Sequence, residues 1–171
     1  MKTNKILRKA LGAMAVGSVL VYSSATMALV INEVESNNSA ATAQNVDGSF
    51  SLDYSADIGD ATGANTSTSL SHVTILGLGD SASYDYFSFT SLGGLTILDI
   101  DYGYGNAGST DTEIGIWNSA GTLLAFNDDS NQINGAGGSD LTNSWLDSFI
   151  QLDLATAGTY TVGVCQFNCF G

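Results

Sequence analysis

Apolar and polar residues alternate in short runs along most of this chain, and Gly, Ser, Asn and Asp separate the runs. Tyr86, Ser88 and Thr90 oppose Phe87 and Phe89, while Leu98, Ile100 and Tyr102 share one face. A period of two belongs to strands with one buried face. The pattern predicts strands near residues 50–54, 73–78, 84–90, 95–102, 112–117, 123–126, 148–154 and 159–167. Gly93-Gly94, Ser119-Ala120-Gly121 and Ala157-Gly158 read as hairpin turns. Residues 39–44 give the single helical hint, of a turn or two. The expected fold class is all-β, an antiparallel β-sandwich or barrel. Residues 59–71 and 130–144, rich in Gly, Ser, Thr and Asn, read as long surface loops.

The first 28 residues break this pattern. Lys2, Lys5, Arg8 and Lys9 precede an apolar run from Ala10 to Tyr22 and a small-x-small site at Thr26-Met27-Ala28. This order describes a secretory signal peptide over residues 1–28. The apolar run is shorter than the ~20 residues a membrane span needs. Residues 29–171 then form one domain, secreted to the extracellular space or cell surface, or to the periplasm, with no membrane span.

Those four residues are all the Lys and Arg in the chain, against 17 Asp and Glu. Once residues 1–28 are removed, no Lys or Arg remains to pair with a carboxylate. Such acidity excludes phosphate recognition, so no nucleic acid is expected, and anionic lipid surfaces would repel the domain. Two carboxylates ~4 Å apart repel by ~4 kcal/mol at an effective dielectric of 20, and a divalent cation between them reverses that sign.

Several acids fall at strand ends that antiparallel connectivity brings to one rim. Asp111 opens the strand 112–117, Asn127-Asp128-Asp129 closes the next, and Asp147 opens the one after. Asp80 and Asp85 lie at the start of the preceding pair, with Asp99 and Asp101 towards its end. Calcium takes 6–8 oxygen ligands, which Asp, Asn and Gly-rich loops can supply. The competing reading makes each Asp a turn residue bonded to its own backbone. Asp99-Ile-Asp101-Tyr-Gly103 starts like an EF-hand, but Tyr104 and Thr110 stand where Gly and Glu are required.

Cys165 and Cys169 are the only cysteines. An extended C-x-x-x-C spans ~13 Å between Cα atoms, whereas a disulfide needs roughly 4.4–6.8 Å. Pairing therefore requires a turn through Gln166-Phe167-Asn168, and the sequence leaves it open. With only the distant His72 to join them, the two cysteines make a poor zinc site, and His72 reads as polar surface.

The order of motifs resembles the bacterial pre-peptidase C-terminal domain family, related to collagenase collagen-binding domains. Three blocks carry it: Asn32-Glu33-Val34-Glu35-Ser36-Asn37-Asn38 with Ala40-Ala41-Thr42-Ala43-Gln44; Asp80 to Phe89; and Asp111 to Asp129 with Asp147-Ser148-Phe149-Ile150 and Ala157 to Val164. The resemblance implies a jelly-roll-like sandwich, secretion, and Ca²⁺ held by the leading acidic segment. It assigns Glu33, Glu35, Asn37 and Asn38 to metal, with Asp85 as a strand-side partner. Asp111, Asp128, Asp129 and Asp147 match further patterned positions. Against the family pattern the Asp80–Asp85 spacing is long. The stop at Gly171 implies a domain truncated at its C-terminus or lacking a last strand.

The function expected is a non-catalytic, calcium-binding extracellular binding or matrix module. The alternative is a polymer-binding adhesion domain for collagen or polysaccharide, or for a matrix protein, with Tyr102, Tyr104, Trp117 or Trp145 as contacts. Trp117 ends an alternating strand and reads first as core, which leaves Trp145 as the better contact. A secreted hydrolase is the second alternative. Acidic pairs are too numerous to single out a catalytic one, and Ser71-His72 lacks a nucleophile elbow.

Overall fold

The computed structural model describes residues 29–56, 58–77, 84–100, 111–130, 147–166 and 168–170. Residues 1–28, expected as a signal peptide, and Asp80, Asp101, Tyr102, Tyr104, Trp145 and nearly all of the expected loop 130–144 lie outside the described residues. The described part is all-β: β1 (Val30–Asn32), β2 (Gln44–Asn45), β3 (Thr74–Leu76), β4 (Tyr84–Ser91), β5 (Gly94–Asp99), β6 (Thr112–Asn118), β7 (Leu123–Asn127), β8 (Phe149–Leu154) and β9 (Gly158–Gln166). Single 3₁₀ turns at Ala40–Thr42 and Asp47–Ser49 flank β2. No described helix is long and apolar enough to cross a membrane.

The strands form a five-stranded mixed sheet in the order β2-β4-β9-β6-β7, a parallel pair β1-β3, and an antiparallel pair β5-β8. The register explains how they connect. Ser91 pairs with Gly158 at the end of β4-β9, and Gly94 pairs with Leu154 at the start of β5-β8. One antiparallel ribbon therefore leaves the large sheet and continues as the small one. Gly93 sits at the fold of this ribbon with φ +93°, where a Cβ would come within 3.0 Å of the Leu154 carbonyl oxygen. Opposite, the Tyr160 hydroxyl donates to the Thr156 carbonyl at 2.5 Å and ties the second crossing to β9.

The core lies along these crossings. Ile114 and Ile116 of β6, Tyr160 and Val162 of β9, and Ile150 and Leu154 of β8 form its buried cluster. Phe89, Leu98, Ile100, Ala125, Leu152 and Val164 pack around it. Both the five-stranded sheet and the β5-β8 pair contribute, which is what their alternating apolar positions require.

Four expectations are corrected. Gly93-Gly94 and Ala157-Gly158 are crossings between sheets, not hairpin turns; only Ser119-Ala120-Gly121 closes a hairpin. There the Asn118 side chain accepts the N–H groups of Ala120 and Thr122, both at 3.0 Å. The strand expected at 50–54 is reduced to one bridge between Ser51 and His72. Side chains capture its backbone instead, with Asp53 N donating to Ser51 Oγ and Ser55 N to Ser67 Oγ, an alternative to ladder pairing. His72 is buried at 7 % exposure and is not polar surface. Trp117 leaves the core face: its ring lies over Gly115, on the side opposite Ile114 and Ile116.

Candidate metal sites

Two carboxylate groups stand at one end of the large sheet, near the start of β4 and the start of β6, with β9 between them. The sequence placed these acids on a single rim. The structure keeps the rim and divides the acids, because β9 is inserted between β4 and β6.

The first group joins Glu33, Glu35 and Asp85, whose donor oxygens lie within 4.8 Å of one another. Three segments converge to build it. β1 runs parallel to β3, and Glu33 N continues that ladder to Leu76 O at 2.9 Å. The Gln44 amide then clamps the next turn of chain, accepting from Val34 N at 2.8 Å and donating to Asn32 O at 3.1 Å. Asn37 O accepts Tyr86 N at 2.9 Å, which fastens the segment to β4 beside Asp85. Gly77 leaves room for the Glu33 carboxylate, because a Cβ there would lie 2.8 Å from Glu33 Oε2.

Asn37 is 1 % exposed. Its Nδ2 donates to Glu33 Oε1 at 3.1 Å, while its Oδ1 is buried without a hydrogen-bond donor. A buried carbonyl oxygen with no donor forfeits its hydration, and a cation among the neighbouring carboxylates would satisfy it. Asn38 is exposed.

The second group joins Asp111, Asp128 and Asp129 within the same 4.8 Å spread. Ser148, fully buried, braces it: its Oγ lies 2.6 Å from Thr112 O and 2.7 Å from Asp128 O. Asp147, one residue earlier, is buried at 9 % exposure and is not a member of the triad. Asn127 joins β7 to β8 by accepting Phe149 N at 2.9 Å. Burial, then the charge of Asp129, raises the Asp111 pKa. Asp128 is raised by burial, then by Asp129, Asp111 and Glu113.

Two carboxylates elsewhere behave in the opposite way. Asp60 accepts Thr62 N at 2.8 Å, Thr62 Oγ1 at 2.6 Å and Ala64 N at 3.1 Å. Asp47 accepts Thr90 N at 2.5 Å. Hydrogen bonds from Thr62 hold the Asp60 pKa below 3.8, and the backbone of Thr90 does so for Asp47. Asp111 Oδ1 and Asp128 Oδ1, by contrast, are buried without donors. Thr62 and Ala64 in its own turn account for Asp60, and Thr90 of β4 accounts for Asp47; Asp111 Oδ1 and Asp128 Oδ1 have neither kind of donor.

The sign of the triad's contribution follows. A raised folded pKa gives stability that is complete below the unfolded value of 3.8 and is lost as pH rises through the folded pKa. At neutral pH the cation-free triad therefore opposes folding. Asp128→Asn should raise the melting temperature in chelator by about 1–2 °C, the scale of a surface charge change. In millimolar calcium the same substitution should lower it. Differential scanning fluorimetry in the two buffers reads both signs, and equal shifts in both would remove the triad as a cation site.

A third group, Glu113 with Cys165 and Cys169, was not expected from the sequence. The two cysteines form a disulfide with Cα atoms 6.5 Å apart. Gly115 and Gly163, inside strands, are the kind of residue that marks a close approach. They are cross-strand partners, and Trp117, Tyr86 and Phe170 lie over them.

No family model matches the chain, and no curated protein matches it. The chemistry of these groups therefore carries the functional reading.

Proposed function

We propose that this chain is a secreted, non-catalytic, calcium-stabilised module of the pre-peptidase C-terminal kind, serving extracellular binding or matrix attachment. In this reading the folded ribbon β4-β9/β5-β8 closes a jelly-roll-like sandwich, and calcium ties the leading acidic segment to it. The observation that carries it is Asn37 Oδ1, buried without a donor beside three clustered carboxylates. No Lys or Arg follows residue 9 to neutralise them.

The donor set suits a hard cation. Glu33, Glu35, Asp85 and Asn37 offer oxygen only, and water or backbone carbonyls would complete the 6–8 ligands that calcium takes. The ion would supply charge neutralisation, and the protein residues would hold the segment 33–37 against β4. Nothing in this role requires bond making.

Calorimetric titration of calcium into the protein at physiological ionic strength tests it. The expected Kd lies in the extracellular range of about 10⁻⁴–10⁻³ M. Asp85→Asn should abolish binding at the first group. Gly77→Ala should weaken it by about tenfold, the scale of disturbing a ligand's support. The added methyl meets the mobile end of Glu33 rather than backbone, so the fold should survive. No binding heat, or heat unchanged by both substitutions, would overturn the reading.

A further inference from the structure

Glu113 projects from the outer face of the large sheet yet is 2 % exposed. The chain after β9 folds back over it. Glu113 Oε2 accepts Cys169 N at 2.8 Å and Phe170 N at 3.2 Å, and lies 3.4 Å from Cys169 Sγ. Cys165, 6 % exposed, is the cross-strand partner of Glu113. Phe170 then packs edge-on against Trp117, with ring centroids 4.9 Å apart. The disulfide, the carboxylate and the ring pair form one clip.

We propose that reduction of the Cys165–Cys169 disulfide converts this clip into a Zn²⁺ site, with both thiolates and the Glu113 carboxylate as ligands. The donors of Cys169 and Phe170 reach Glu113 through a segment tethered by the disulfide. Once the tether opens, a buried carboxylate loses those donors, and a buried charge without a partner is costly. No Lys or Arg in the described residues can replace them. A divalent cation can.

The donor set selects the ion. Two thiolates and one carboxylate suit a borderline-soft tetrahedral metal, with water as fourth ligand, and do not suit calcium. Zn–S bonds of about 2.3 Å place tetrahedral sulfurs about 3.8 Å apart. The three donor atoms already lie within 4.8 Å of one another, so the segment needs a small displacement only. Zinc would then hold residues 168–170 in the place where the disulfide holds them.

The chemistry balances with a water-soluble trialkylphosphine as reductant. The phosphine takes oxygen from water to become its oxide, and the disulfide gains two electrons and two protons to give two thiols. Zn²⁺ then displaces both thiol protons to solvent. The site shares no ligand with the oxygen-only calcium groups, so either proposal can fail alone.

Co²⁺ serves as the spectroscopic probe on the full chain. The phosphine-reduced protein should bind one Co²⁺ with thiolate-to-cobalt charge-transfer absorption, and Zn²⁺ should bleach it. The oxidised protein should show none. Cys169→Ser should abolish the band. Glu113→Gln should weaken affinity by about tenfold or more, the scale seen for losing even an outer-shell partner. Glu113→Asp, which keeps the charge, should give an intermediate affinity and covers the case in which the glutamine variant does not fold. Asp60→Asn, in an exposed turn that belongs to none of the three groups, should leave the band intact. A reduced, folded protein with no band, or a band indifferent to both Glu113 substitutions, overturns the proposal.

Discussion

Saturating calcium should raise the midpoint of thermal unfolding by about 8–11 °C, and a chelator should return it. At 100 times its Kd an ion that binds only the folded state stabilises by about 2.7 kcal/mol. For a domain of this size, each kcal/mol is worth about 3–4 °C. The effect should be this large because the leading segment is otherwise thinly held. β1 and β3 have three residues each, and Val30 and Leu76 are 50 % and 57 % exposed. An ion between Glu33, Glu35 and Asp85 would fasten that segment to β4, an interior strand of the five-stranded sheet. The midpoint should climb with calcium concentration, as linkage demands. Magnesium should be a poor substitute, because it requires a near-ideal octahedron and sheds water reluctantly. A midpoint unmoved by calcium would leave a plain acidic scaffold.

How far the fold was legible depended on strand length. β4, β5, β6, β7, β8 and β9 each have at least five residues, long enough for an apolar run between turn residues to show in the sequence. β1 and β2 have three and two residues, too few to show a period, and both pair in parallel with strands remote in sequence. Glycine pairs mark sharp reversals but not destinations. Gly93-Gly94 would look the same whether the chain stayed in its sheet or left it.

The same distinction separates the candidate sites. Glu33, Glu35, Asn37 and Asp85 are brought together, and so are Asp111, Asp128 and Asp129, since both groups sit at strand ends that connectivity fixes. Glu113 escaped because its chemistry depends on a chain reversal beyond β9, which spacing alone left open. Asp47 and Asp60 show why counting acids is not enough. Donors from its own turn occupy Asp60 and donors from Thr90 of β4 occupy Asp47, and donors are visible only in the fold.

Gly163→Ala should destabilise the protein by about 1–3 kcal/mol, the usual cost of overpacking, although alanine in an ordinary strand outperforms glycine. The reversal of sign is the diagnostic. Gly163 lies between Tyr86 on β4 and Gly115 on β6. An added Cβ would stand 2.9 Å from Phe170 Cζ, 3.0 Å from Tyr86 Cε1 and 3.1 Å from Trp117 Cζ3. Three rings converge on one missing methyl, so moving any one of them presses on the others. The neighbouring Gly115 has the same role for Trp117, whose ring lies over its Cα. Denaturant midpoints should fall in Gly163→Ala. They should fall less on a Phe170→Ala background, where the nearest ring is gone; that coupling is what a double-mutant cycle measures. Equal losses in both backgrounds would mean that Phe170 does not rest on the glycine track, and a gain in stability would mean that no ring does.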